Sequence, residues 1–231
     1  MRLGMVLTSR VYDDERAKIV RRSFDSLTNT VMIGVERPAM ALLNTTSSFD
    51  YGPYLEAWGY KWDVVISKDL KWRLNVLQSI GAEILLADGT VTHLYFMYDD
   101  FIYNPHWLRQ LQGLIERHPG ARAWGVYRSS FTNFHRIIGG DDVDVLMTMH
   151  DGIGCVSREE WTAYQDTLKG EFIVPLKRDT GETILVDCTI DVHHAYQRPG
   201  ERWATSKDYM QNIGVHQFLG RQDEAIDFVG E

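Results

Sequence analysis

Apolar residues fall along this chain in two patterns: short unbroken runs, and longer stretches with helical spacing. Leu3–Leu7 is an apolar run closed by the polar Thr8-Ser9-Arg10, which predicts a buried parallel strand. From Asp13 to Leu27 the residues Ile19, Val20, Phe24 and Leu27 form one helical face, and Asp13, Asp14 and Glu15 sit in the first turn, where the helix dipole favours acids. Ala39–Leu43 predicts a second strand, ending at Asn44-Thr45-Thr46-Ser47. Pro53–Gly59 predicts a short helix, Trp62–Ser67 a third strand, and Leu70–Leu86 a helix with Leu70, Leu74, Leu77 and Ile84 on one side. Asp88-Gly89 breaks that helix, and Leu94–Tyr98 reads as another buried strand. Asn104-Pro105 then opens an amphipathic helix reaching Arg117, with Asn104 as N-cap and Pro105 at the first helical position. The alternation predicts an α/β fold with a Rossmann-type, mostly parallel central sheet flanked by helices.

Beyond Arg117 the rhythm loosens. Ala123–Tyr127 and Val143–Met149 read as strands around a turn at Gly139–Asp142, and the segment from Asp151 to Ser157 leads into a helix at Arg158–Trp161. Gly170–Gly181 reads as loop. Thr183–Ala195 is apolar enough to be buried, yet carries Asp187, Asp191, His193 and His194. Gln197–Lys207 reads as a charged, mobile segment, Asn212–His216 as strand-like, and the tail from Gln222 is acidic. With no internal repeat or linker, the expected organisation is one domain over 1–231. Residues 1–117 would form one functional half and 118–220 a second, with 221–231 a tail.

Composition narrows the class. The chain has 231 residues, 44% of them hydrophobic, which is enough for a sizeable core and excludes a disordered chain. A formal charge of -8 argues against a broad nucleic-acid footprint. Cys155 and Cys188 are too few for a disulfide framework and are expected to be buried free thiols. Met1–Leu7 is too short for a secretory leader, and no apolar run approaches the roughly 20 residues of a membrane span. A soluble, cytoplasmic protein with no membrane partner is expected.

Asp99 and Asp100 stand where a buried strand leaves the sheet, the edge at which open α/β folds bind ligands. Adjacent carboxylates repel unless a cation lies near. A divalent ion, Mn2+ or Mg2+, suits oxygen ligands and would bridge the acids to a nucleotide diphosphate. Asp100, nearer the loop, is the better direct ligand; Asp99 would act through water or on a ribose hydroxyl.

Tyr98-Asp99-Asp100 with the following Asn104-Pro105-His106-Trp107-Leu108 resembles the acidic motif of GT-A-fold glycosyltransferases, family 2-like. The segment from Gly152 to Trp161 is similar to the Gly-rich acceptor-side segment of that superfamily, which commonly ends in Ser-Arg-x-x-Trp. The segment from Gln211 to His216 resembles its closing motif, in which a histidine joins the metal or diphosphate. The three matches keep the family's order and span the chain from about Leu3 to Gly220. Two positions depart from the pattern. Tyr98 stands where many relatives carry Asp or Glu, and Asn212 where His is frequent, leaving His216 as the closing ligand.

The resemblance implies a glycosyltransferase using a nucleotide-sugar donor, UDP-linked, with Mn2+ or Mg2+ on Asp100 and His216. It places the donor cradle at Thr8, Ser9 and Arg10 and at Asn44 and Thr45, with Arg73 and Asn75 reaching the nucleotide or diphosphate and Asp99 completing it. The family's second acidic motif falls on Asp187, with Ile190 after it, as the base that takes the acceptor proton; Asp191 is the rival. An Asp187 held in apolar surroundings would have a raised pKa suited to that role, and the reaction would invert the anomeric centre. The acceptor would be a glycan, a protein or a modified DNA base, with Arg198, Arg202 and Lys207 as the patch for DNA. Two other readings stay open: a non-catalytic nucleotide-sugar or glycan-binding module, and a sugar-phosphate nucleotidyltransferase. The last is disfavoured because Thr8-Ser9-Arg10-Val11-Tyr12 holds no glycine.

Overall fold

The structure, a computed structural model, describes residues 1–44, 49–58, 63–65, 74–128, 136–150, 154–165, 173–177, 181–187, 190–213 and 229. Its first half follows the predicted alternation. Strand β1 (Leu3–Ser9) leads into helix α1 (Asp14–Thr28), then β2 (Ala39–Asn44), α2 (Gly52–Trp58), β3 (Asp63–Val65), α3 (Leu74–Ala87) and β4 (His93–Tyr98). Asp13 caps α1, its side chain accepting from the Arg16 backbone N–H at 2.7 Å. The second half contains β5 (Phe101–Tyr103), α4 (Trp107–Arg117), β6 (Ala123–Gly125), β7 (Ile137–Gly140), β8 (Asp144–Met147), β9 (Cys155–Ser157) and α5 (Arg158–Gln165). It ends with β10 (Ile173–Lys177), β11 (Thr183–Asp187), α6 (Ile190–Gln197), β12 (Arg202–Thr205) and β13 (Met210–Asn212).

Nine strands form one sheet in the order β3-β2-β1-β4-β9-β6-β12-β8-β7. Pairing directions set β8 and β9 against the rest, so the sheet is mostly parallel. Strand β1 is buried along its whole length, and alternate residues feed opposite layers. Met5 and Leu7 pack with Val20, Phe24 and Leu27 of α1 and Leu111 and Leu114 of α4. Val6 packs with Leu77, Ala82 and Leu85 of α3 and Trp161 of α5. Each such side chain, fully buried, contributes about 1.5–3 kcal/mol. Helix α3 lies so close to the sheet that a Cβ on Gly81 would stand 2.7 Å from Val6 Cγ1. Only a glycine allows that approach.

Several expectations change. Asn104 does not cap α4: the helix begins at Trp107 after His106, and Asn104 Oδ1 instead accepts from the His106 N–H at 2.8 Å, making a turn ahead of it. Gln197–Lys207 is not a mobile segment, because β12 lies inside the sheet between β6 and β8. Residues 173–177, expected as loop, form β10, which pairs with β11 in a separate antiparallel hairpin. Of its described side chains, Pro175, Thr183 and Leu185 are exposed, Leu185 at 74%. Residue 229 of the expected tail is docked, its N–H donating to the Asp208 carbonyl while Asn104 Nδ2 donates to its own carbonyl.

Candidate active site

The parallel register of β1, β2 and β4 gathers the predicted residues at one edge. Thr8 stands opposite Tyr98 on one side and Leu43 on the other, and Ser9 opposite Asn44. The chain leaves β4 through a turn at Asp99-Asp100, so both acids lie beside the carboxyl end of β1. Thr8 and Ser9 are buried while Arg10 is exposed.

Asp99 is buried at 3% exposure and takes bonds from several directions. Ser9 Oγ and the Arg10 N–H donate to Oδ2, the latter at 3.1 Å, and the Arg16 guanidinium donates to Oδ1. Tyr51 reaches the same point, its hydroxyl 2.6 Å from Ser9 Oγ. Asp100 is partly exposed, and its Oδ2 accepts from the other arm of Arg16 at 3.2 Å. One guanidinium therefore spans both carboxylates. It answers the repulsion that the adjacent acids create, and the sequence analysis did not single it out. Its signal was position: the first turn after the first strand, facing the edge where the acids emerge.

Electrostatics follow from that geometry. Burial pushes the Asp99 carboxyl up to about 6 against the pull of Arg16, with Asp100 adding to the rise. Burial tends to lower the Arg16 pKa, but Asp99 and Asp100 outweigh it and the net direction is upward. Arg16 stays charged.

The closing segment is brought to the acids by backbone pairing. Strand β13 runs antiparallel to β5, setting Gln211 against Ile102 and Asn212 against Phe101. The Ile213 N–H then donates to the Asp100 carbonyl at 2.7 Å. His216, Thr45 and Arg73 lie outside the described residues, as do the side chains of Asn44, Asn75 and Asp187.

Asp187 ends β11, and Asp191 is buried in the first turn of α6. Among the described contacts none joins Asp191 to the acid pair. Ahead of Asp187 in β11, Thr183 and Leu185 are exposed and Ile184 is half-buried.

The segment ending Ser157-Arg158-Glu159-Glu160-Trp161 splits between two ends of the sheet. Its Gly154 carbonyl accepts from the Phe96 N–H at 3.1 Å, toward the carboxyl half of β4. Gly154 has φ +76, and a Cβ there would stand 2.6 Å from the Trp124 carbonyl oxygen, so glycine is required. Arg158 lies at the opposite end, donating to the carbonyls of Leu86, Asp88 and Val91, while Trp161 is fully buried against Phe96. Those two residues build the scaffold rather than an acceptor contact.

Two of the three residues of the expected DNA patch are engaged within the fold, while Lys207 is exposed. Arg202 is 4% exposed and donates to the carbonyls of His194, Arg198 and Gly200. Arg198 forks onto Glu160 at 2.9 and 3.0 Å.

A metal ion would find hard oxygen donors here. Among the described residues no group of three or more His, Cys, Asp or Glu is placed to hold one. Asp99 has both oxygens engaged, whereas Asp100 offers its second oxygen at a partly exposed position. That donor chemistry fits Mn2+ or Mg2+ completed by ligands from substrate phosphates. Among the described residues no helix is long and apolar enough to cross a membrane.

No protein-family model matches the chain, and no curated protein matches it in sequence. Solved structures do match in fold. S. aureus TarS 1–349 in complex with UDP-GlcNAc superposes with a TM-score of 0.58 at 12% identity, over 95% of this chain and 61% of that one. TarS 1–349 in a second structure gives 0.54 at 11%, over 91% and 60%. GalNAc-T7 with UDP, GalNAc and Mn2+ gives 0.57 at 12%, over 94% of this chain and 44% of that chain. The molecule therefore has the GT-A-like fold of glycosyltransferases. It spans about three fifths of the TarS fragment it matches.

Proposed function

We propose that the protein is a glycosyltransferase that moves a sugar from a UDP-linked donor to a hydroxyl of a glycan, a protein or a modified DNA base. The observation that carries this reading is the meeting of three chain segments at Asp99-Asp100: the end of β1, the first turn of α1 and the closing strand β13. A likeness in fold to proteins solved with UDP-GlcNAc and with UDP and Mn2+ supports it.

Thr8, Ser9, Arg10, Asn44 and Thr45 would line the base and ribose, with Arg73 and Asn75 toward the diphosphate. Asp100, with His216, would hold Mn2+ or Mg2+, which when bound supplies Lewis-acid stabilisation of the leaving diphosphate. Asp99, already fixed by Ser9, Arg10 and Arg16, orients Asp100 and faces the ribose side. Asp187, or Asp191 in its place, takes the acceptor proton. The acceptor oxygen then bonds to the anomeric carbon, and the bond to the diphosphate oxygen breaks with its electron pair leaving on UDP. A single displacement of this kind inverts configuration, through a transition state with oxocarbenium character.

A second reading is favoured by one observation. Arg16 engages both acids, as a site that binds a nucleotide sugar without turning it over would allow. Donor turnover separates the two. The purified chain is mixed with a panel of UDP-sugars and Mn2+, and UDP release is followed beside the melting temperature. One donor should raise the melting point and release UDP, with Asp100→Asn abolishing release. A melting shift without release would establish the binding module, and neither response with any nucleotide sugar would end the transferase reading.

A further inference from the structure

Arg16 has two partners, and a divalent ion at this site would need one of them. The side chain is fixed at its root, because Asp13 caps the helix through the Arg16 backbone N–H. It is fixed at its tip by Asp99 Oδ1 and Asp100 Oδ2, and its side chain is only 16% exposed. Asp99 cannot release it toward an ion, since the other oxygen of that carboxylate is held by Ser9 and Arg10. Asp100 is the carboxylate at which a guanidinium and a metal ion would compete. Ligand bonds to Mg2+ are about 2.0–2.1 Å. An ion on Asp100 Oδ1 would share one carboxylate with the guanidinium arm on Oδ2, and the two positive charges would compete for it.

We propose that Arg16 is a positioning residue that closes Asp100 to a divalent ion until a diphosphate arrives. The inference rests on the donor-site reading of the acid pair given above. Arg16 neutralises Asp100 in the empty site and keeps its hold on Asp99 throughout. When donor phosphates enter, they offer the guanidinium a new anionic partner whose oxygens match its planar fork. The arm on Asp100 transfers to the diphosphate, and the freed carboxylate accepts the ion. Ion and nucleotide then bind with positive coupling through one side chain, and linkage makes that coupling reciprocal.

The test is a titration of Mn2+ alone, with free Mn2+ read by electron paramagnetic resonance, into the wild type, Arg16→Gln, Arg16→Lys and Asp100→Asn. Arg16→Gln should bind Mn2+ about tenfold or more tightly than the wild type without nucleotide, whereas Arg16→Lys should stay close to wild type. Adding UDP should raise the Mn2+ affinity of the wild type more than that of Arg16→Gln. If Arg16→Gln fails to fold with Asp99 left uncompensated, Asp99→Asn/Arg16→Gln is compared with Asp99→Asn, and the double variant should again bind Mn2+ more tightly. Equal or weaker Mn2+ binding on loss of Arg16, with binding still abolished by Asp100→Asn, overturns the gate and leaves the ion site standing. Mn2+ binding that ignores Asp100→Asn, or no Mn2+ binding by any variant, overturns the gate together with the ion site beneath it.

Discussion

The backbone N–H of Ile213 donates to the carbonyl oxygen of Asp100 at 2.7 Å, joining the last described strand to the acid pair across more than a hundred residues of chain. This bond, with the β5–β13 ladder behind it, holds the chain at Ile213 beside the acid pair. Replacing Ile213 by Pro deletes the donor and should cost about 1 kcal/mol of stability, with at least a tenfold fall in donor turnover. Ile213→Ala keeps the N–H and should behave like the wild type. Urea unfolding and UDP release, measured on both variants, check this. Equal turnover by the two would show that the bond does not position the site.

Arg158 makes a second prediction, because its place in the fold contradicts the role that its motif suggests. Its guanidinium donates to Val91 at 2.7 Å, Leu86 at 3.1 Å and Asp88 at 2.6 Å, closing the carboxyl end of α3 and the turn into β4. Arg158→Ala should therefore lower stability by about 2–4 kcal/mol, judged from hydrogen bonds to a charged group. The KM for donor and acceptor should remain unchanged in the protein that still folds. A raised acceptor KM with an unaltered urea midpoint would return Arg158 to the acceptor side.

The first half of the fold was legible because its information is local. Apolar runs such as Leu3–Leu7 are bounded by turn residues, and Asp13 marks the start of α1 by type alone. The acid pair was legible for the same reason: two charges directly after a buried strand contradict their surroundings. Arg16 was not, because its meaning depends on a partner 84 positions away, and in sequence it is one cation among several on a helix. β12 was misread for a related reason. Arg202 looks like a surface charge until the carbonyls that satisfy it are brought together by the end of α6. Strands β7 and β10 carry weak alternation, and their pairing comes from partners in β8 and β11 rather than from their own residues. The base remained open between Asp187, which fits the motif through Ile190, and Asp191, one helical turn further on.

The same partner-dependence gives Glu160 a measurable pH signature. This carboxylate, 5% exposed, accepts from Arg122 at 2.8 Å, from both arms of Arg198 and from His194 at 3.2 Å. Burial pushes its pKa upward, yet the bonds from His194, Arg198 and Arg122 outweigh burial and pull it down to about 2. An unfolded glutamate titrates near 4.3. A folded pKa below the unfolded one means that the folded state prefers the ionised form. The stabilisation is therefore complete above about pH 4.3 and is lost as pH falls toward 2, amounting to about 2–3 kcal/mol. Glu160→Gln should lose that amount at pH 7, leaving Arg122, Arg198 and the buried Arg202 facing one another without a counter-charge. Denaturant unfolding of both proteins at pH 7 and at pH 3 checks the sign. The wild type's advantage should be largest at neutral pH and shrink in acid, whereas an advantage that grew in acid would mean that Glu160 is held protonated in the fold.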